Sequence, residues 1–181
     1  AGSCLDELPK LHSDSFNLVI TSPPYCNRYD YTRTYALELA YLGHNEETLK
    51  QLRQTLLSAT VENKTKRHQL AYKYRSRKQE IRYNSAVAAF TDQHALQEVL
   101  TLLCKAQKEG KLNNDNIPMM VENYFFEMNL VIRELARVLA PGGRIIMVND
   151  NVQYNGEEVP VDLILSDLAS SAGLTVDHIW V

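Results

Sequence analysis

Ser22-Pro23-Pro24-Tyr25 is the stretch of this 181-residue chain whose residue types and order could do chemistry. It follows directly on the apolar run Phe16-Asn17-Leu18-Val19-Ile20 and Thr21. Prolines cannot donate to a sheet ladder, so Pro23 and Pro24 end any strand begun at Phe16. A rigid Pro-Pro corner holds a backbone carbonyl in place, beside a hydroxyl acceptor and a ring that can stack. Those parts suit a flat heterocycle carrying an exocyclic amine. The amine donates to Ser22 Oγ and to the Pro23 carbonyl while Tyr25 covers the ring face. A bare Pro-Pro-Tyr also reads as a strand-terminating turn with an incidental tyrosine. Placement directly after a strand is more specific, because ligands of open α/β sheets sit beyond the carboxyl ends of the strands.

The elements that must position this quartet can be read from apolar periodicity and from Gly and Pro punctuation. Residues 15–22 read as a buried parallel strand. Residues 31–43 have helical spacing, with Tyr35, Leu39 and Leu42 on one stripe and Gly43 as a C-cap. Residues 46–83 read as largely helical and highly polar, and 113–118 as a loop. The segment 120–140 predicts a strong amphipathic helix with Phe125, Met128, Leu135 and Leu139 facing inward. Pro141-Gly142-Gly143 stops it, and 144–150 is the next buried strand. A helix over 159–173 and a third strand over 174–181 follow. The order predicts right-handed crossovers and an open, parallel α/β sheet.

At 45% apolar the chain can bury one sizeable core, and its net charge of −3 says little about partners. Cys4, Cys26 and Cys104 are odd in number and irregularly spaced, which gives neither a metal signature nor a disulfide framework and predicts a reducing cytoplasm. No signal peptide and no membrane span is read from the sequence.

The segment "DSFNLVITSPPY" resembles motif IV of the S-adenosylmethionine-dependent DNA amino-methyltransferases, in which Asp, Asn or Ser precedes Pro-Pro and an aromatic residue. The serine form is more typical of the N4-cytosine enzymes than of the N6-adenine ones. "LARVLAPGGRIIMVND" is similar to the helix, turn and fifth strand of the Rossmann-like methyltransferase fold, and 159–181 to the helix and strand after it. The resemblance implies a catalytic core in 1–43 and 119–181, partial, with 44–118 as a helical insertion and target-recognition region. It implies methyl transfer from S-adenosylmethionine to the amine of a flipped base, with Ser22, Pro23, Pro24 and Tyr25 catalytic and Thr21 and Ser22 beside the cofactor. Cytosine 5-methyltransferases place a nucleophilic cysteine directly after proline. Cys26 follows Tyr25 instead, and is expected to be a small, partly buried thiol. Asn149, Asp150 and Asn151 read as helix or turn caps, or as groups reaching a ligand from a strand end.

Residues 62–83 carry Lys64, Lys66, Arg67, Lys73, Arg75, Arg77, Lys78 and Arg82 against Glu62 and Glu80, with Tyr72, Tyr74 and Tyr83 interleaved. This is a solvated helix or, within a methyltransferase-like core, a face for DNA phosphates, with Lys73, Arg75, Arg77 and Lys78 as its contacts. Arg28 and Arg33, just past the motif, are placed to meet phosphate near the flipped base.

The family's Gly-x-Gly cofactor loop is absent, since none of the seven glycines forms one. The first three strands of the family's sheet are also missing, and 1–15 resembles the approach to its fourth strand. The chain therefore reads as the catalytic half of a longer enzyme of restriction–modification or orphan type, completed by its other half or by a homo-oligomer. A silent nucleic-acid-binding subunit, or a methyltransferase acting on RNA or protein, are the other readings.

Overall fold

A computed structural model describes residues 2–181, so Ala1, the first residue of the expected 1–43 core segment, lies outside the described residues. A short helix α1 (Cys4–Glu7) and a 3-10 turn (Leu8–Lys10) lead into β1 (Phe16–Thr21). Beyond the motif come α2 (Tyr31–Thr34), α3 (Ala36–Tyr41), α4 (Glu46–Thr55), α5 (Arg67–Ser76), α6 (Glu80–Asp92) and α7 (His94–Lys108). The chain returns through α8 (Ile117–Val138), β2 (Leu139–Met147), a hairpin of β3 (Val152–Tyr154) and β4 (Glu157–Val159), and α9 (Val161–Ser171). The architecture is mixed α/β around a small parallel sheet of β1 and β2.

Helix α8 is the axis of the core. Phe125, Met128 and Leu135 are buried as expected, and Leu139 is buried at the start of β2. The helix is not one-faced, however: α6, α7, α9 and the N-terminal turns all pack on it, and even Asn123, Glu127, Asn129 and Glu134 are buried. The polar residues are tolerated because they find partners, as when Asn129 Nδ2 donates to the Ala86 carbonyl at 2.6 Å.

Pro141-Gly142-Gly143 shapes β2 rather than ending α8. The ladder pairs Phe16 with Leu139, then resumes at Leu18 with Arg144 and runs to Thr21 with Met147, so residues 140–143 bulge out of the strand. Gly142 has φ +78°, and a Cβ on Gly143 would stand 2.8 Å from Leu139 Cγ and 2.9 Å from the Ala140 carbonyl oxygen. Gly143→Ala should therefore destabilise the chain by about 1–3 kcal/mol, as overpacking does. Chemical denaturation reads this directly, and an unchanged midpoint would show that the bulge gives way freely.

Three expectations are corrected. Strand β1 is not buried: Leu18 is 52% and Ile20 69% exposed, and Ile146 beside Ile20 on β2 is 45% exposed. Successive strand side chains alternate between faces. Hence Val19, Ile145 and Met147 pack on the core, while the opposite sheet face carries apolar side chains that no described element covers. The helix over 31–43 is broken at Tyr35 (φ −101°, ψ 24°), and its Tyr35 and Leu42 stripe faces solvent because no described element packs against it. Residues 174–181 form no strand, since no neighbour is present to pair with them. The β3–β4 hairpin is an addition to the expected elements. Its Asn155 (φ +52°) and Gly156 (φ +82°) form the two-residue turn that right-twisted strands favour.

Candidate active site

Strand β1 ends at Thr21, whose carbonyl accepts from Val148 N at 3.0 Å, so the parallel ladder carries both strands to one open end of the sheet. Ser22 is exposed there, and Pro23, Pro24 and Tyr25 are half-buried. The next residue, Cys26, is fully buried, and burial pushes its thiol far up, so it stays protonated and is no nucleophile. Its carbonyl accepts from the hydroxyl of Tyr154, which ties the motif loop to the hairpin.

Aromatic residues gather around this loop. The rings of Tyr29 and Tyr31 meet edge-on at 4.9 Å. Burial, then the neighbouring phenols of Tyr25, Tyr29 and Tyr35, pushes the Tyr31 hydroxyl up. Beneath them Tyr124, on α8, is fully buried with a hydroxyl that has no hydrogen-bond partner among the described residues. Burial is the main cause that pushes this phenol up, with Cys26, Tyr31 and Tyr25 adding to it. Asp30 closes the loop by accepting from Thr32 N at 3.0 Å, which starts α2. It is also paired with Arg53 on α4 at 2.8 Å, and Arg53 and Arg33 both bind Glu62. Arg33 is thus tied to carboxylates while its side chain stays 70% exposed.

Arg28 adopts φ +68°. Its Nη1 donates to Asn113 Oδ1 at 2.8 Å, and its guanidinium lies 6.0 Å from the Tyr154 ring centroid. It lines an open cleft of about 430 Å³ with Lys111 and Asn113 from the loop before α8, and with Asp150, Gln153 and Asn155 from the far end of β2 and the hairpin. Asn151 acts as a cap, as one of its two readings has it: its Oδ1 accepts from Asp162 N at 3.1 Å at the start of α9.

The basic residues of 62–83 do not form one free face. Lys73 is paired with Asp6 at 2.7 Å and Arg77 reaches the Asp6 carbonyl, so both grip α1. Arg75 pairs with Glu80 at 3.0 Å, and Arg67 pairs with Glu122 while stacking over Phe90 and Phe126. Lys66 is buried against Glu127 at 3.0 Å. Tyr74 is buried, whereas Tyr72, Arg75 and Lys78 remain exposed. Residues 21–25 are therefore brought together at the sheet end, Arg28 joins Lys111 at the cleft, and Lys73 and Arg77 are directed to the N-terminal helix. Lys111, Asn113, Tyr124, Gln153, Tyr154 and Asn155 join the site from outside the sequence-based expectations. The Asn155-Gly156 pair is the sequence signal that announces the last three.

Among the described residues no group of three or more His, Cys, Asp or Glu side chains could hold a metal ion, and no helix is long and apolar enough to cross a membrane. Thr21 and Ser22, expected beside the cofactor, lie at the open end of β1. The edge of β1 away from β2 pairs with no strand among the described residues, and the sequence has no Gly-x-Gly loop.

The chain is 48% identical, over 94% of its length, to the Type II methyltransferase M.BsoBI of Geobacillus stearothermophilus. It is also 48% identical, over 99% of its length, to the Type II methyltransferases M.AvaI of a Nostoc species and of Anabaena variabilis. It spans only 34–35% of the length of these relatives. No family model matches the chain, and no solved structure matches it.

Proposed function

We propose that this chain supplies the base-capturing part of a DNA amino-methyltransferase, with N4 of cytosine preferred over N6 of adenine. The observation that carries this reading is the intact Ser22-Pro23-Pro24-Tyr25 at the open end of a parallel sheet, in a chain similar over nearly all its length to Type II methyltransferases. Residues 1–43 and 119–181 would be part of a Rossmann-like methyltransferase core and 44–118 an insertion that meets the target. The enzyme would serve cytoplasmic restriction–modification, and its S-adenosylmethionine would be held mainly by polypeptide outside these residues.

The chain's own share of the reaction concerns the amine. An arylamine is a poor nucleophile because its lone pair is delocalised into the ring. Donation of its two protons to Ser22 Oγ and the Pro23 carbonyl favours a more tetrahedral nitrogen with a free lone pair. Those bonds strengthen as the nitrogen becomes cationic, which is where binding energy accelerates a reaction. Tyr25 stacks on the extruded base and keeps the amine in line. In a chain extended to the length of its relatives, Ser22→Ala should lower kcat by about 10- to 150-fold, the value of roughly 1.5–3 kcal/mol for a hydrogen bond to a charged group, with little change in DNA affinity. Tyr25→Ala should instead weaken base capture, read as a changed 2-aminopurine signal, because stacking contributes about 1–3 kcal/mol. Full methylation rates in both variants would show that the motif is only a turn.

Phosphate contacts would come from Arg28, Arg33, Lys73, Arg75, Arg77 and Lys78. Exchanging Lys73, Arg75, Arg77 and Lys78 for Gln should flatten log affinity against log salt by roughly 0.9 for each phosphate no longer neutralised. Since Lys73 and Arg77 also hold α1, the exposed pair Arg75 and Lys78 should account for most of the change. An unchanged slope would leave the segment a solvated helix.

A further inference from the structure

We infer that the cleft between the motif loop, the loop before α8 and the β3–β4 hairpin receives the nucleotide next to the extruded base and reads an exocyclic amine on it. The inference rests on the DNA reading above. At about 430 Å³ the cleft has the size of a small-ligand site. It is lined by Asn27 and Arg28 but by none of residues 21–25, so it is a second compartment beside the one that holds the reacting amine. Asn27 lies two residues past Tyr25, and two residues span at most about 7 Å. The two compartments are therefore close enough to hold neighbouring nucleotides of one strand.

Existing bonds decide what the cleft offers. Asn113 Oδ1 is taken by Arg28, which leaves its amide as a donor. Gln153 Nε2 donates to the Gly156 carbonyl at 3.0 Å, which leaves Oε1 as an acceptor. Asp150 adds a carboxylate to the lining and Arg28 a positive charge, whereas the Lys111 ammonium is already paired with Glu109 at 2.7 Å. Acceptors on Gln153 and Asp150 suit the N4 amine of cytosine or the N6 amine of adenine, and they repel the O4 of thymine. The Arg28 guanidinium suits the phosphate that links this nucleotide to the extruded one. The compartment is built in advance. The Tyr154 hydroxyl locks the hairpin to the Cys26 carbonyl, and Arg28 is fixed between Asn113 and the Tyr154 ring. Arg28 also keeps a left-handed backbone that side chains rarely adopt, a conformation that persists only where its surroundings impose it.

The test uses the 181-residue chain and short duplexes with one mispaired, easily extruded cytosine and a photoreactive 5-iodopyrimidine at each neighbouring position in turn. Irradiation of the adjoining position should crosslink the strand to the Asn27–Arg28 loop or to residues 150–155, as read by mass spectrometry. The preference for cytosine over thymine at that position should fall about tenfold in the Asp150→Asn, Gln153→Leu double variant, in line with the usual discrimination per base pair read. Crosslinks from the adjoining position confined to residues 22–25, or an unmoved cytosine-to-thymine ratio, would overturn the second compartment while leaving the DNA reading intact. Failure of the chain to bind any of the duplexes at low salt would overturn the DNA reading itself.

Discussion

Glu127→Ala should cost the chain about 3–5 kcal/mol of stability, the largest effect expected of any single side chain here. Glu127 sits in the middle of α8 and is buried. Its Oε2 is 3.0 Å from the ammonium of Lys66 and accepts from Ser58 N at 2.8 Å, while Oε1 accepts from Ser58 Oγ at 2.8 Å. Lys66 is itself nearly enclosed, its remaining contact being the Leu56 carbonyl. Removing the carboxylate leaves a buried ammonium with no counter-charge and two Ser58 donors with no acceptor. Burial pushes the Glu127 carboxyl up, against the pull of Lys66 and Ser58, which shows how costly the charged form is to enclose. The pair therefore does not by itself make the fold more stable than an apolar pair of the same shape. Glu127→Leu combined with Lys66→Met should destabilise far less than the sum of the two single changes. Urea denaturation of the four proteins gives the coupling energy. Additive effects would mean that water reaches Lys66 and that the pair is no buried unit.

The same pair shows why part of this structure could not be read from the chain. The partners of the basic segment lie far away in sequence: Asp6 for Lys73, Glu122 for Arg67, Glu127 for Lys66. Local charge counting over 62–83 sees an excess of cations, and only the packing of α5 and α6 against α1 and α8 reveals that several are neutralised. Where an element is specified by its own residues, the sequence suffices. The strand from Phe16, the helix from Ile117 and the helix from Val161 follow from apolar runs bounded by Pro, Gly and Asn. The third strand, expected over 174–181, fails for the opposite reason: its alternation is suitable, but a strand exists only beside a partner. The hairpin is legible only in Asn155-Gly156, because strands of three residues each are too short to show a period. Of the site, residues 21–25 are legible because their chemistry is contiguous. The cleft is not, because it is assembled from segments around positions 27, 112 and 153 that share no pattern.

Isolated, the 181-residue chain should bind S-adenosylmethionine weakly or not at all and should methylate nothing. A cofactor with a charged methionine end and a ribose needs backbone amides at close approach, which glycine-rich loops after a strand provide. Here the outer edge of β1 pairs with no described strand and the sequence has no Gly-x-Gly. The contacts expected near Ser22 and from the N-terminal segment would line only one side of such a site. The exposed sheet face carries the same message in another form. Leu18, Ile20 and Ile146 lie side by side in the solvent, a patch that in an α/β sheet is normally covered by helices. A chain spanning about a third of its relatives' length should hide this patch by self-association or against complementary polypeptide. Sedimentation should therefore show species larger than 20.7 kDa, and Ile20→Lys with Ile146→Lys should return the chain to a monomer. In titration calorimetry, a polypeptide completing the relatives' length should restore cofactor binding to the wild-type chain and not to that double variant. Micromolar binding of S-adenosylmethionine by the chain alone would refute this expectation, because it requires a full cofactor site within these residues.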